Sequence, residues 1–313
     1  MRNKRIIFTV MGILILAPFA LAQIPTPLKD VKVSSDVTLD KITGLYTYSY
    51  AVFNPPTNDG KISHFEIDIT KSLDGQELNS TGLIIKRGMK ARGGMLIRSF
   101  EEEIARKLMK KSVIPVGAQP PLGQPFPGWT AAIAVMGTAM WGGSEQNVIS
   151  PNQAIGGFVL TSYGLPGLRE FSVESDFIVS EDELGADVSW EALDTFYKAL
   201  AYKGKTIGPT APPADFKPIE FLNYIINMKH EAFSLGWIKN KGIENSLDVK
   251  LDNAKKKLEQ GNNIATKNIL NAFINEVEAQ GCAVYENCPS GKHLTPEAYG
   301  LLKYNVQYLL NKL

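Results

Sequence analysis

The sequence is short of the residues that most often carry chemistry. It has three histidines, His64, His230 and His293, spread far apart along 313 residues. None sits in a metal-binding spacing such as H-E-x-x-H. There are only two cysteines, Cys282 and Cys288. No G-x-S-x-G elbow occurs, since Gly143-Ser144-Glu145 lacks the second glycine. No phosphate-cradling loop occurs either: Gly93-Gly94 and Gly142-Gly143 lack the lysine and the spacing. Charge of one sign is also missing. Lys plus Arg is 33 against 32 for Asp plus Glu, a net charge of +1, which gives no electrostatic case for nucleic acid as a partner. After the first 22 residues no apolar run approaches membrane-spanning length. What remains, 44% hydrophobic and 21% charged, is an ordinary globular composition long enough for about two domains.

The N-terminus has the pattern of an export signal. Arg2, Lys4 and Arg5 precede an apolar run from Ile6 to Ala20, and Ala20-Leu21-Ala22 places small residues where a signal peptidase reads. The expectation is cleavage between Ala22 and Gln23. No cysteine follows that point, which argues against a lipid anchor, and loss of the three signal cations leaves a mature charge of −2. The predicted location is secreted, periplasmic or extracellular, with no membrane span after cleavage. In an oxidising compartment, Cys282 and Cys288 are expected to bond to each other. The alternative, zinc on Cys-x5-Cys with His293, lacks a clear fourth ligand.

From Gln23 to about Ile207 the texture is that of strands. Tyr46, Tyr48 and Tyr50 alternate with Thr47 and Ser49, and a dense turn signal follows from Asn54 to Gly60. Ile62, Phe65, Ile67 and Ile69 then alternate with Glu66 and Asp68, so the pair predicts a long antiparallel hairpin. Residues 82–86, 129–135, 158–162 and 171–179 are further strand-length runs. Prolines 115, 120, 121, 125 and 127 mark an extended, irregular crossing. One helix is expected after Ser99, its acids Glu101 to Glu103 at the start and Lys110-Lys111 at the end, and a short one after Ser189. Many short strands with Gly and Pro turns suggest a β-sandwich.

Gly208-Pro209-Thr210-Ala211-Pro212-Pro213 predicts a stiff linker, because three prolines in six residues bar helix and central strand. Beyond Pro218 the period becomes helical, with stripes through Phe221 to Phe233, Leu247 to Leu258, Thr266 to Val277 and Ala298 to Leu310. Gly261 and Gly281 end the second and third, and Thr295-Pro296 opens the fourth. The predicted fold is multidomain α+β. It comprises a signal peptide (1–22), a β-sandwich-like domain (23–207), a proline-rich linker (208–217) and a C-terminal antiparallel four-helix bundle (218–313).

Two stretches of the helical half carry a resemblance. Leu251-Asp252-Asn253-Ala254-Lys255-Lys256-Lys257-Leu258-Glu259-Gln260-Gly261-Asn262 and Leu270-Asn271-Ala272-Phe273-Ile274-Asn275-Glu276-Val277-Glu278-Ala279-Gln280 resemble the centre of the FIMAH module, and Gly291-Lys292 with Leu294-Thr295 and Leu301-Leu302 extend the likeness. The Cys282–Cys288 insertion departs from the module's pattern. The resemblance implies a helical accessory domain of a secreted bacterial protein, without an activity to transfer. The β half, through its tyrosine strand ending at Asn54 and through Gly156-Gly157-Phe158, Ser162 and Leu165-Pro166-Gly167, is similar to uncharacterised secreted bacterial proteins.

No catalytic, cofactor-binding or metal-ligating set can be assembled from the sequence. The acidic stretch Glu174, Asp176, Glu181, Asp182, Glu183 and Asp187 has oxygens that calcium would accept but no EF-hand spacing, and a solvated turn is the simpler account. Lys86, Arg87, Lys90 and Arg92 form the densest basic patch, either a solvated hairpin tip or a contact for an anionic surface polymer. Trp129 and Trp141 suit either sugar stacking or the core. The expected function is a secreted, non-catalytic binding or interaction protein for an extracellular or envelope ligand, polysaccharide or protein. The alternative is a small secreted hydrolase acting on an extracellular polymer. An open aromatic face would favour binding, and carboxylates converging in a deep pocket would favour the hydrolase.

Overall fold

A computed structural model describes residues 27–69, 117–121, 128–134, 138–144, 147–176, 199–213, 215–285 and 288–313. The export signal, the basic patch and the helix expected after Ser99 lie outside the described residues, as does most of the segment after Ser189.

Among the described residues, nine strands, all paired antiparallel, form two sheets: β1 (Lys32–Leu39), β2 (Tyr46–Asn54), β3 (Ile62–Asp68), β4 (Gly117–Gln119), β5 (Thr130–Ala134), β6 (Thr138–Gly142), β7 (Gln153–Ser162), β8 (Leu165–Ser175) and β9 (Tyr202–Thr210). One sheet runs β1-β2-β7-β4 and the other β5-β6-β3-β8-β9. Four helices follow among the described residues: α1 (Pro218–Ser234), α2 (Lys241–Glu259), α3 (Asn263–Gln280) and α4 (Pro296–Leu310). The architecture is α+β.

The expected hairpin of β2 and β3 does not form. β2 pairs with β1 and β7, whereas β3 pairs with β6 and β8. Alternation fixes which face of a strand is buried, and it is silent on whether the next strand pairs beside it or lies in another sheet. Here the inward faces meet. Tyr50 of β2 lies edge-on to Phe65 of β3 at 5.8 Å between ring centres, and Phe65 also stacks on Trp141 at 5.1 Å. The turn carries the chain across because its polar groups are satisfied internally. Asn54 donates to the carbonyls of Gly60 and Ile149, and Asn58 donates to Asn54 and to the Lys29 carbonyl. In β7 the register against β2 breaks at Tyr50/Ala51, where Gly157 takes a φ of 90° that suits a glycine at a bulge.

The expected linker is partly strand. β9 continues through Gly208-Pro209-Thr210, with Pro209 opposite Pro166 of β8. β9 is an edge strand, so Pro209 needs no backbone donor on its free side, and proline is tolerated there where a central strand would reject it.

These four helices fall where their apolar stripes predict. Pro218 and Pro296 sit at helix starts, where their missing N–H costs nothing. Asn240 caps α2 by accepting from Gly242 and Ile243, and Asn262 caps α3 by accepting from Ala265. Gly261, at φ 70°, turns the chain between α2 and α3. Leu222, Ile225, Leu247, Leu251, Phe273, Val277, Leu301 and Val306 are fully buried.

The helices rest on the sheets through α4. Tyr304 meets Tyr46 of β2 edge-on at 5.4 Å, and Asn305 donates to the Pro166 carbonyl at 2.7 Å. Gly300 lies so close to Val37 of β1 that a Cβ there would stand 2.2 Å from Val37 Cγ1. Glu297 accepts from the Ser35 backbone N–H. Among the described residues no helix is long and apolar enough to cross a membrane.

Candidate functional site: an open groove beside the helix–sheet junction

The residues singled out from the sequence do not come together. Trp141 is fully buried, its indole N–H donating to the Gln119 carbonyl and its ring among Tyr50, Phe65 and Phe158. Trp129 is 3% exposed and edge-on to Phe158 at 5.0 Å. Neither presents a ring face to a ligand; both serve the core, because inward strand positions place them there. Lys86, Arg87, Lys90 and Arg92 lie outside the described residues.

Cys282 and Cys288 are bonded to each other, with Cα atoms 5.3 Å apart. Both sulfurs are thereby consumed, which removes the zinc alternative. Of the acidic stretch, Glu174 stands opposite His64 in the β3–β8 register, and Asp176 follows that strand; Glu181 to Asp187 lie outside the described residues. Burial pushes His64 down, but its hydrogen bond to the Glu66 carboxylate and the charges of Glu174 and Glu66 raise it overall.

One cluster gathers acids and a histidine. His230 on α1 and Glu244 and Asp248 on α2 each offer a ligand atom, all within 4.8 Å of one another. The cationic position among them is taken by Lys229. Its side chain is wholly buried, and its Nζ lies 2.5 Å from both Glu244 Oε1 and Asp248 Oδ1. Lys241 adds a contact to Glu244 Oε2 at 2.6 Å. Burial pushes the Glu244 carboxyl up, yet hydrogen bonds from Lys229 and Lys241 bring it down to about 2. A carboxylate held ionised by an ammonium is a poor general acid, so the arrangement serves as an internal ion cluster between α1 and α2. The sequence carries a signal for it. Lys229 falls on the apolar stripe, four residues after Ile225 and three before Ala232, and Glu244 and Asp248 are spaced four apart on α2.

Among the described residues, a candidate site is an open groove of about 480 Å³ where the β1–β2 turn meets α3 and α4. Leu39, Ile274 and Leu310 give it apolar surface. Tyr46, Tyr304 and Tyr308 line it with rings; the first two are largely buried against each other and Tyr308 is partly exposed. Burial raises all three phenols, so they stay neutral at working pH. Asn271 from α3, Gln307 from α4 and Asn311 at its end bring amides, and Lys41 stands at the rim.

The turn that forms one wall is fixed by Asp40. Its carboxylate accepts from the Ile42 backbone at 2.8 Å and from the Thr43 hydroxyl at 2.6 Å, which lowers its pKa. Gly44, at φ 75°, donates to the Asp40 carbonyl and completes the reversal. Sequence reasoning missed the groove because its walls come from segments more than two hundred residues apart. The one visible hint is that Gln307 and Asn311 fall four apart, on one side of α4.

Among known protein families and curated proteins, none matches this chain.

Proposed function

We propose that this is an exported, non-catalytic binding protein. Its two sheets act as a β-sandwich, its helices as a FIMAH-like four-helix bundle, and the groove beside their junction as the binding site. The observation that carries this reading is the make-up of the groove. Rings, aliphatic side chains and neutral amides line it, with neither a carboxylate nor a histidine among the described lining residues. General acid–base hydrolysis needs such a group beside the substrate. The carboxylates that converge elsewhere, Glu244 and Asp248, hold a lysine ammonium. Export is supported by the N-terminal signal pattern and agrees with the Cys282–Cys288 disulfide.

The test combines retention and turnover. Purified protein beginning at Gln23 is expected to be retained on envelope material and to leave polysaccharide, peptide and ester panels uncleaved. Hydrolysis that disappears when one histidine or acidic residue is replaced would overturn the proposal.

A further inference from the structure

We infer that the groove takes an uncharged, polyhydroxylated ligand, the sugar rings of a neutral oligosaccharide. This rests on the binding reading and names its ligand class.

Three features of the walls point the same way. The first is the amides. Asn271, Gln307 and Asn311 line one groove, and none of their side chains has a hydrogen-bond partner among the described residues. An amide both donates and accepts, as a hydroxyl does, so three open amides match a row of hydroxyls without imposing a charge.

The second is the apolar surface between them. Tyr308, partly exposed on α4, supplies the ring, and Leu39, Ile274 and the largely buried Tyr304 lie beside it. A sugar ring has C–H faces as well as hydroxyl edges, and tyrosine presents an apolar body with a polar tip to both. The phenols themselves are neutral, and Lys312 Nζ lies 5.6 Å from the Tyr308 ring centre.

The third is charge. Lys41 is the one ionised side chain among the described lining residues. An acidic polymer would need several cations, and a basic peptide would need acids. The volume, about 480 Å³, is that of a site for a small ligand, and the groove opens to the surface. The Asp40-braced turn keeps one wall in place before binding, which lowers the ordering cost.

The experiment titrates the mature full-length protein with cellohexaose, chitohexaose, maltohexaose and xylohexaose. Oligogalacturonate and an unstructured peptide serve as charged and peptidic comparisons, with calorimetry and amide NMR as readouts. At least one neutral hexasaccharide is expected to bind saturably and independently of salt. The resonances that move should include those of residues 304–311. Asn271→Ala and Gln307→Ala are on the surface and should keep the wild-type melting curve while weakening binding about tenfold each, the loss of one good hydrogen bond. Binding of only the acidic oligomer or the peptide would overturn the inference. So would saccharide binding that both variants leave unchanged, or no binding of any neutral sugar. The same variants are assayed for retention on envelope material. If they lose retention while no neutral sugar binds, the ligand class fails and the binding reading stands; if retention is unaltered, the groove reading itself fails.

Discussion

The Glu297 carboxylate accepts the Ser35 backbone N–H at 2.9 Å, across 262 positions of sequence. Glu297 lies in the first turn of α4 and is 1% exposed, and the Tyr285 hydroxyl donates to the same carboxylate at 2.7 Å. One buried group therefore joins a strand of the first sheet, the disulfide loop and the helix that rests on the sheets. Burial raises its pKa, and the hydrogen bonds from Tyr285 and Ser35 oppose that rise. Glu297→Ala leaves a buried backbone donor without a partner. The expected loss is roughly 1–3 kcal/mol in urea unfolding. A loss of the same size in a Tyr285→Phe variant, with none in Glu297→Ala, would place the coupling elsewhere.

The Lys229 cluster sets an acid limit. Glu244, brought down to about 2 from an ordinary 4.5, contributes stability that is complete above the ordinary value and is lost as pH falls toward 2. Lys229→Met removes the ammonium and leaves two carboxylates facing each other without it. It should cost about 3–5 kcal/mol at neutral pH. The deficit should shrink as the pH falls through that window, because protonated carboxyls no longer need the lysine. Urea midpoints of both proteins over a pH series are the measurement. A deficit that stays constant with pH would mean that the lysine acts by packing alone.

The helical half is more legible in the sequence than the β half, and the reason is locality. A helix is specified by its own stripe and ends, so Leu247 to Leu258, Gly261 and Thr295-Pro296 can be read in isolation. A strand declares a buried face but not its neighbour, so Tyr50 and Phe65 are identifiable as inward without revealing that they belong to opposing sheets. Pro209 shows the same limit: whether it breaks a strand depends on whether that strand is at an edge, which is a property of the assembled sheet. The groove is less legible still. Lys41, Asn271 and Gln307 are unremarkable surface types until the fold sets them side by side.

The disulfide closes a short loop, so its contribution through chain entropy is about 2 kcal/mol. It also fixes the approach of Tyr285 to Glu297. Cys282→Ser with Cys288→Ser should lower unfolding free energy by about that amount while the far-UV circular dichroism stays native. Adding Glu297→Ala to the double serine variant should then cost less than it does alone, since part of the carboxylate's network is already loosened. Full additivity would show that loop and carboxylate are independent.

Gly300 of α4 packs against Val37 of β1, and this contact tests how tightly α4 is seated. A Cβ at residue 300 would stand 2.2 Å from Val37 Cγ1, well inside contact distance, and Val37 is fully buried. In an exposed helix, Gly→Ala stabilises, because glycine loses more backbone entropy on folding. Here the added methyl must push α4 away from β1, and overpacking of a core costs about 1–3 kcal/mol. Gly300→Ala is therefore expected to destabilise the chain despite its better helix propensity. Val37→Ala alone should also destabilise, by leaving a cavity. The pair together should recover part of the loss, since the new methyl occupies space that the valine vacates. Urea unfolding of the two single variants and the double variant gives the coupling. A double variant at least as unstable as the sum of the singles would mean that α4 does not depend on this contact for its seat.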